Sequence, residues 1–389
     1  MDFTLTKEQA EVVECIRQFG EAHFSHEAIR RWRKEQGLPD EVVQAFVNLD
    51  FGPATLVSDR AGSASKLFTL VLIVEELARS AGASLPFQTD LLNLSILSEC
   101  ATPELLAYIR EDYQRTGRLA FSLAMSEPEA GSDNRAMRTT VKTVDDKLIL
   151  NGRKTFVNNG EYAPSILVAA LDGDATTMGK HPAMSLWLIP CTLEGVRTYP
   201  IEKTAQKMLP FSDIVFDNVE IDRRHFVTGG ERGLPNLLRF FELGRCITCA
   251  SSLGMAQAAM EDAVKRASER TAFGSSISRF QQIEQMLTDM EVKLTAMRGM
   301  VYRAALSIDS KDESTRLNVA LMKRYVPKTA VEVASDAIQI FGGLGYTENA
   351  RVFSIWEDCR GNQISEGTDE IMVRIAAPLL MEKYVPRKQ

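Results

Sequence analysis

The stretch ISEGTDE (364–370) sets one carboxylate, Glu366, directly before Gly367 and Thr368, after the apolar Ile364 and ahead of a helical run. An acid at such a break can be a helix-start carboxylate favoured by the macrodipole, a role that tolerates Gln. It can also serve chemistry, which its position alone does not specify. Three other stretches carry chemically useful residues. In AMSEPEAGSDNRA (124–136), Pro128, Gly131, Ser132 and Asp133 form a tight turn rich in free N–H groups. Ser126 and Ser132 add hydroxyls, so the loop can line a phosphate-bearing or ring-shaped polar ligand, or be a plain β-turn. In ERTAFGSSISRFQQIEQMLTDM (269–290), Arg270 precedes Phe273 and Gly274. It is placed to pair with a phosphate, or simply with a helix dipole. QIFGGLGYTENARVF (339–353) ends a helix at a double glycine. That is a C-cap, or a place where a ligand lies against the bare backbone of Gly342, Gly343 and Gly345.

Other reactive types read as structure. Cys246 and Cys249 have CxxC spacing, but RCITCASSLGMAQAAM has the look of a buried helix with small side chains. His23, His26 and Glu27 share one helix turn and read as a solvated face rather than a metal site.

The elements that must position these residues fall into three segments: 1–120, 121–228 and 229–389. The first reads as helices. Thr6 is a natural N-cap before Lys7 and Glu8, LFTLVLIVEELARSAG (67–82) stops at a glycine, LLNLSILSEC is helical, and Thr102 with Pro103 opens another helix. From Leu119 the period drops towards two. LAFSLAM, TTVKTV, KLILNG, SILVAAL, MSLWLIP and DIVFDNVEI are short, β-branched or aromatic, and separated by turn residues. Their spacing predicts a small antiparallel barrel or sandwich. No strand–GxGxxG–helix unit is present, which argues against a nicotinamide-binding domain. After GGERGLPN (229–236) the helical period returns, with four long helices expected near 236–270, 279–309, 314–341 and 369–384. Pro327 should kink or break the third. The expected fold is thus α+β but mostly helical: a helical domain, a β-domain and a four-helix bundle.

The 389 residues are 45% hydrophobic and 25% charged, enough for two or three domains around a large core. A formal net charge of −7 argues against nucleic acid as the main partner. No apolar run reaches the ~18 residues that would span a bilayer. The start, MDFTLTKEQAEVVECIRQFG, reads as neither a signal nor a transit peptide, and six scattered cysteines suit a reducing compartment. A cytoplasmic location is expected.

Helices, then a β-segment with AMSEPEAGSD, then a bundle with ERxxFG, QxxGGxG and EGT: from LTKEQ to about Tyr384 this order resembles the acyl-CoA dehydrogenase family. The resemblance implies non-covalent FAD and oxidation of the Cα–Cβ bond of an acyl-CoA thioester. A base takes the α-proton while the β-hydrogen leaves as hydride to flavin N5. Glu366 matches the family's base, and burial is expected to raise its pKa. Its backbone N–H is expected to help bind the thioester carbonyl, and Gly367 to let the thioester approach. Family members that carry the base on the first bundle helix have it where Gly244 stands here. Arg245, with Glu242 on the same turn, resembles an arginine near the substrate, and Ser132 is also expected to reach it.

For FAD, the resemblance implies Met125, Ser126, Gly131 and Ser132 along the ring and ribityl chain, with Phe156, Val157 and Asn158 in the family's WIT positions. Arg270, Phe273, Gln281, Gln339, Gly342 and Gly343 should reach the FAD of a neighbouring subunit. Thr368 and Glu370 should lie by the adenosine half. A homodimer or homotetramer and an electron-transferring flavoprotein as acceptor follow. Two departures stand out: Phe156 replaces the usual tryptophan and Asn158 the usual threonine facing flavin N5. Ser354 also stands where a basic residue is usual, and RVFSIWEDCR has a faint likeness to members handling carnitine-derived thioesters. The alternatives are the same scaffold working as an enoyl-CoA reductase, or acting on carrier-protein-bound acyl groups.

Overall fold

The computed structural model of the chain describes residues 3–49, 67–118, 120–173, 183–230 and 233–385. Leu119, where the β-pattern was expected to begin, and Glu231–Arg232 of the second junction lie outside them.

The first helices begin and end where local chemistry says they should. α1 (Lys7–His23) starts at Thr6, whose hydroxyl accepts from the Gln9 N–H while the Gln9 side chain accepts from the Thr6 N–H. α2 (His26–Glu35) and α3 (Asp40–Val47) follow. α4 (Leu67–Ala81) is apolar on nearly every side and stops at Gly82, whose φ of 60° few other residues accept. A helix of that kind must be enclosed, and α4 is: it packs against α1 and two bundle helices. α5 (Phe87–Cys100) and α6 (Pro103–Thr116) complete this part, α6 capped by Thr102 with Pro103 in its first turn.

The strands are β1 (Phe121–Ala124), β2 (Thr140–Val144), β3 (Lys147–Asn158), β4 (Ser165–Asp172), β5 (Met184–Pro190), β6 (Val196–Ile201), β7 (Phe211–Ile221) and β8 (Phe226–Thr228). They form one sheet in the order β6-β7-β3-β2-β4-β5-β8, with β1 also on β4. The expected all-antiparallel arrangement needs correction, because β1 and β2 both run parallel to β4. β5 pairs with β4 over Ser165–Leu171 on one edge. β1 and β2 therefore share the other edge, end to end, with Ala124 opposite Val168 and Thr140 opposite Leu171. The segment between them leaves the sheet and returns to it. Alternation along β4 feeds two cores: Ile166, Val168 and Ala170 face the interior of the β-domain, while Leu167 and Ala169 join the core shared with the helices.

The last part contains α7 (Gly233–Glu269), a hairpin of β9 (Thr271–Ala272) and β10 (Ser275–Ser276), then α8 (Gln281–Asp309), α9 (Thr315–Phe341), α10 (Val352–Asn362) and α11 (Asp369–Tyr384). Small residues let α7 approach its neighbours: a Cβ on Gly254 would lie 2.1 Å from the Glu75 carbonyl oxygen of α4. Cys246 and Cys249 are fully buried here, and burial raises both thiol pKa values. The break expected at Pro327 is absent. α9 runs through it, with Pro327 buried and α9 packed along α7 and α8, so packing outweighs a cost of about 3 kcal/mol. α10 was not foreseen among the bundle helices. It is three turns long, and two of its buried positions are the polar Asp358 and Asn362, which hide the apolar stripe Val352, Ile355 and Cys359.

Among the described residues, no helix is long and apolar enough to cross a membrane.

One buried acid gives a test of the junction between helices and sheet. Asp90 of α5 accepts from the Phe121 N–H of β1 at 2.9 Å, and burial pushes its pKa from 3.8 to about 8. Folding therefore takes up a proton between those values, and stability falls as pH rises through that window. Asp90→Asn keeps an acceptor for Phe121 and removes the titration. Its Tm should decline less than the parent's between about pH 5 and about pH 8; an equal decline in a thermal melt series would contradict this.

Candidate active site

Glu366 and Gly367 occupy consecutive left-handed positions, with φ of 56° and 97°. For a residue bearing a Cβ this costs about 1–2 kcal/mol, so the surroundings must impose it. They do so through two cations. Arg245 of α7 donates from Nε to the Glu366 carbonyl at 3.0 Å. Lys323 of α9, fully buried, donates from Nζ to the carbonyls of Asn362 at 2.9 Å and Gly367 at 3.1 Å. Thr368 then caps α11, accepting from the Ile371 N–H, and Arg324 holds Asp369 at 2.9 Å. Glu370 is exposed in the first turn of α11.

The Glu366 carboxylate lies on the backbone of Gly244. A Cβ at position 244 would stand 2.6 Å from Oε2 and 2.8 Å from Cδ. The missing side chain on α7 is thus the space that the acid occupies. Burial raises the Glu366 carboxyl pKa, opposed by Arg245 and then Lys323. Burial likewise raises that of Glu242, opposed mainly by Arg245, and lowers that of Arg245, opposed by Glu366 and Glu242. The group is a poised, partly desolvated carboxylate with cations holding its backbone rather than neutralising its oxygens. Such an acid can accept a proton from a weak carbon acid.

This turn is tied to the rest of the molecule through Asp358, which has no exposure. Its carboxylate accepts from Arg33 at 2.8 and 2.9 Å, from the Ser84 N–H at 3.2 Å and from the Gln206 N–H at 2.6 Å. The Gln206 side chain continues to Asn362 at 2.8 Å, and Lys323 takes the chain from there to Gly367. Lys323, Gln206 and Asp358 were not singled out from the sequence. The available signal was a charged or amide residue at a core-facing helical position, as at Lys323 and Asp358.

The 125–139 segment is held from behind. The fully buried Lys154 donates to the Met125 carbonyl at 3.1 Å and to Glu127 at 2.8 Å. Glu127 also accepts from the N–H groups of Arg138 and Thr139. The Thr155 N–H donates to the Ser126 carbonyl. Gly131 and Ser132 are exposed at its tip. Beside it, Phe156 sits at φ 56° with its ring 61% exposed, while Val157 turns its side chain into the β-core and leaves only backbone. Asn158 is half-buried at the end of β3, where Lys203 Nζ lies 3.5 Å from its Oδ1.

Arg270, Phe273, Gln281, Gln339, Gly342 and Gly343 are all exposed and gather at one end of the bundle. Arg266, near the end of α7, lies over the Phe341 ring, near the end of α9. Phe273 forms the tip of the hairpin at φ 49° and is 99% exposed. This group is remote from Glu366: Glu269 ends α7 24 residues beyond Arg245, roughly 36 Å at 1.5 Å per residue. A cavity of about 400 Å³ between α2 and α10 includes neither group. Its Arg30 and Lys34 are already paired with Glu348, and Ser354, which lines it, bonds the Arg351 carbonyl of its own helix.

Three family models match in chain order: acyl-CoA dehydrogenase N-terminal domain over 6–109, middle domain over 122–219 and C-terminal domain over 231–381. The chain is 34% identical over 384 residues to the probable acyl-CoA dehydrogenase YdiO of Escherichia coli K12, covering 99% of each. It superposes on an acyl-CoA dehydrogenase of Slackia heliotrinireducens with a TM-score of 0.86 at 49% identity, covering 99% of each chain. On a glutaryl-coenzyme A dehydrogenase solved with glutaryl-CoA the TM-score is 0.90 at 25% identity, covering 100% of this chain and 98% of that one. With all three segments matched, the chain belongs to the acyl-CoA dehydrogenase family and is, with it, an FAD-dependent oxidoreductase.

Proposed function

We propose that the protein catalyses α,β-dehydrogenation of an acyl-CoA thioester, with Glu366 as the base that takes the α-proton. The observation that carries this reading is the Glu366 carboxylate resting on bare Gly244 backbone, partly desolvated, in a turn held by Arg245 and Lys323. A carboxylate serving only to start α11 has no need of that space. Gly367 is the residue that the turn's φ of 97° favours, and the thioester would lie against its backbone rather than in side-chain space, which Met372 already fills. Arg245 and Glu242, on α7, and Ser132, at the tip of the turn before β2, would meet the substrate.

The residues present suit FAD. No atom stands within 4 Å of where a Cβ would lie on Gly131, Gly342 or Gly343, so backbone is open to a ligand at each. The outward Phe156 ring offers a flat apolar surface next to the Asn158 amide. Met125, Ser126, Gly131, Ser132, Phe156, Asn158 and the Val157 backbone would hold the ring and ribityl chain, and Thr368 and Glu370 the adenosine half. When bound, FAD supplies the two-electron acceptor that removes the β-hydrogen.

A second set, Arg270, Phe273, Gln281, Gln339, Gly342 and Gly343, would serve the FAD of a neighbouring copy. Its distance from Glu366 and the bare Phe273 ring support that reading, as does the cost of leaving such a ring in water. The assembly is then a homodimer or a homotetramer built from it. The acceptor for the electrons is an electron-transferring flavoprotein.

Two substitutions test the base. Glu366→Gln should keep its FAD and lose ~10²–10⁴-fold in kcat on every acyl-CoA it oxidises, measured by anaerobic bleaching and steady-state turnover; full activity would overturn the assignment. In the parent, a base requirement makes kcat rise with pH through the raised Glu366 pKa, and Glu366→Gln should lose that limb. Gly244→Ala forces the carboxylate aside but touches only the free end of a flexible side chain. Its Tm should stay close to the parent's while kcat falls by up to ~10²-fold from misplacement. A parental kcat in a well-folded Gly244→Ala would mean that the acid does not work from this position.

A further inference from the structure

Lys203 lies in the turn between β6 and β7 and is absent from every role assigned so far. Its Nζ is 3.9 Å from the centroid of the Phe211 ring and 3.5 Å from Asn158 Oδ1. The ring face fixes the ammonium electrostatically. Asn158 is fixed from its own side as well. Its backbone pairs with Phe211 across β3 and β7, and its carbonyl accepts from Ser122 Oγ at 2.7 Å. The charged groups acting on Lys203 are Asp358 of α10 and Arg33 of α2. Asp358 is already engaged by Arg33, Ser84 and Gln206, so the Asn158 oxygen is a near polar neighbour without a competing cation.

An ammonium has donors only, whereas an amide presents an acceptor on one side and donors on the other. Of the two orientations of the Asn158 amide, the one that sets NH₂ against Nζ is repulsive. The other sets Oδ1 against Nζ and turns the NH₂ group away from Lys203. A threonine hydroxyl in this place could rotate to donate or accept. An amide has no such freedom and needs a neighbour to choose its orientation.

We propose that Lys203 is a positioning residue that locks the Asn158 amide with its N–H donors turned towards the flavin. This rests on the reading above that puts Asn158 beside the flavin ring. Burial pushes the Lys203 pKa down to about 7, so the test belongs about one unit below that, where the ammonium is present.

The test uses FAD-loaded Lys203→Met, Lys203→Arg and Asn158→Ala, and the double variant Lys203→Met with Asn158→Ala. The readouts are FAD content, visible spectrum and flavin reduction potential. Lys203→Met should keep its FAD and move the potential and absorption maxima in the same sense as Asn158→Ala. In the Asn158→Ala background it should add nothing further, because it acts through that amide. Lys203→Arg, which retains a charged donor, should stay near the parent. Additive shifts in the double variant, or an Arg variant that shifts like the Met variant, would overturn the proposal. So would a parental potential in Lys203→Met alongside a shifted Asn158→Ala, and there the placement of Asn158 would survive. If Asn158→Ala leaves spectrum and potential untouched, that placement fails and the proposal with it.

Discussion

A carboxylate with no exposure to water has to be satisfied by protein donors, and Asp358, on α10 of the C-terminal part, draws its donors from the other two parts of the chain. Arg33 comes from α2 and the Ser84 N–H from the turn after α4, both in the N-terminal part, and the Gln206 N–H from the loop between β6 and β7. None of these parts alone supplies enough. Removing one partner from a buried ion pair costs on the order of 3–5 kcal/mol, comparable with much of a domain's net stability. The hydrogen-bonded path from Asp358 through Gln206, Asn362 and Lys323 ends on the Gly367 carbonyl. The contacts that dock the domains and those that shape the turn bearing Glu366 are therefore one continuous hydrogen-bonded set.

That turn is strained, and its supports are specific to it. Two successive left-handed residues, one with a Cβ, persist because Arg245 and Lys323 hold the carbonyls on either side of the bend. Both cations bind backbone oxygens and leave the carboxylate free. The arrangement keeps the acid close to positive charge without an ion pair on its oxygens, so burial dominates its protonation. Gly244 completes the design by omission, since the acid and any side chain there would compete for one volume.

Much of the architecture was legible because its signals are local. Thr6, Thr102 with Pro103, and Gly82 mark helix ends by chemistry that acts within four residues. The alternation in SILVAAL marks a strand for the same reason. What stayed hidden depends on contacts distant in sequence. β1 and β2 share an edge of β4, a pairing that spacing cannot reveal. Pro327 sits in a helix that tertiary packing carries through it. α10 escaped because Asp358 and Asn362, polar residues on its buried face, are satisfied only by Arg33 and Gln206 far away in the chain. At the site, motif resemblance pointed to Glu366 and the 124–136 turn. It could not point to Lys203 or Lys323, whose significance lies in what they touch.

The division of one edge of β4 between β1 and β2 has a consequence for how such a molecule can vary. Each strand has its own register against β4, and Lys154 and Glu127 anchor both ends of the excursion between them. The exposed tip around Gly131 and Ser132 is thus uncoupled from sheet alignment. A change of length or sequence at that tip would therefore leave the pairing of β1 and β2 with β4 in place.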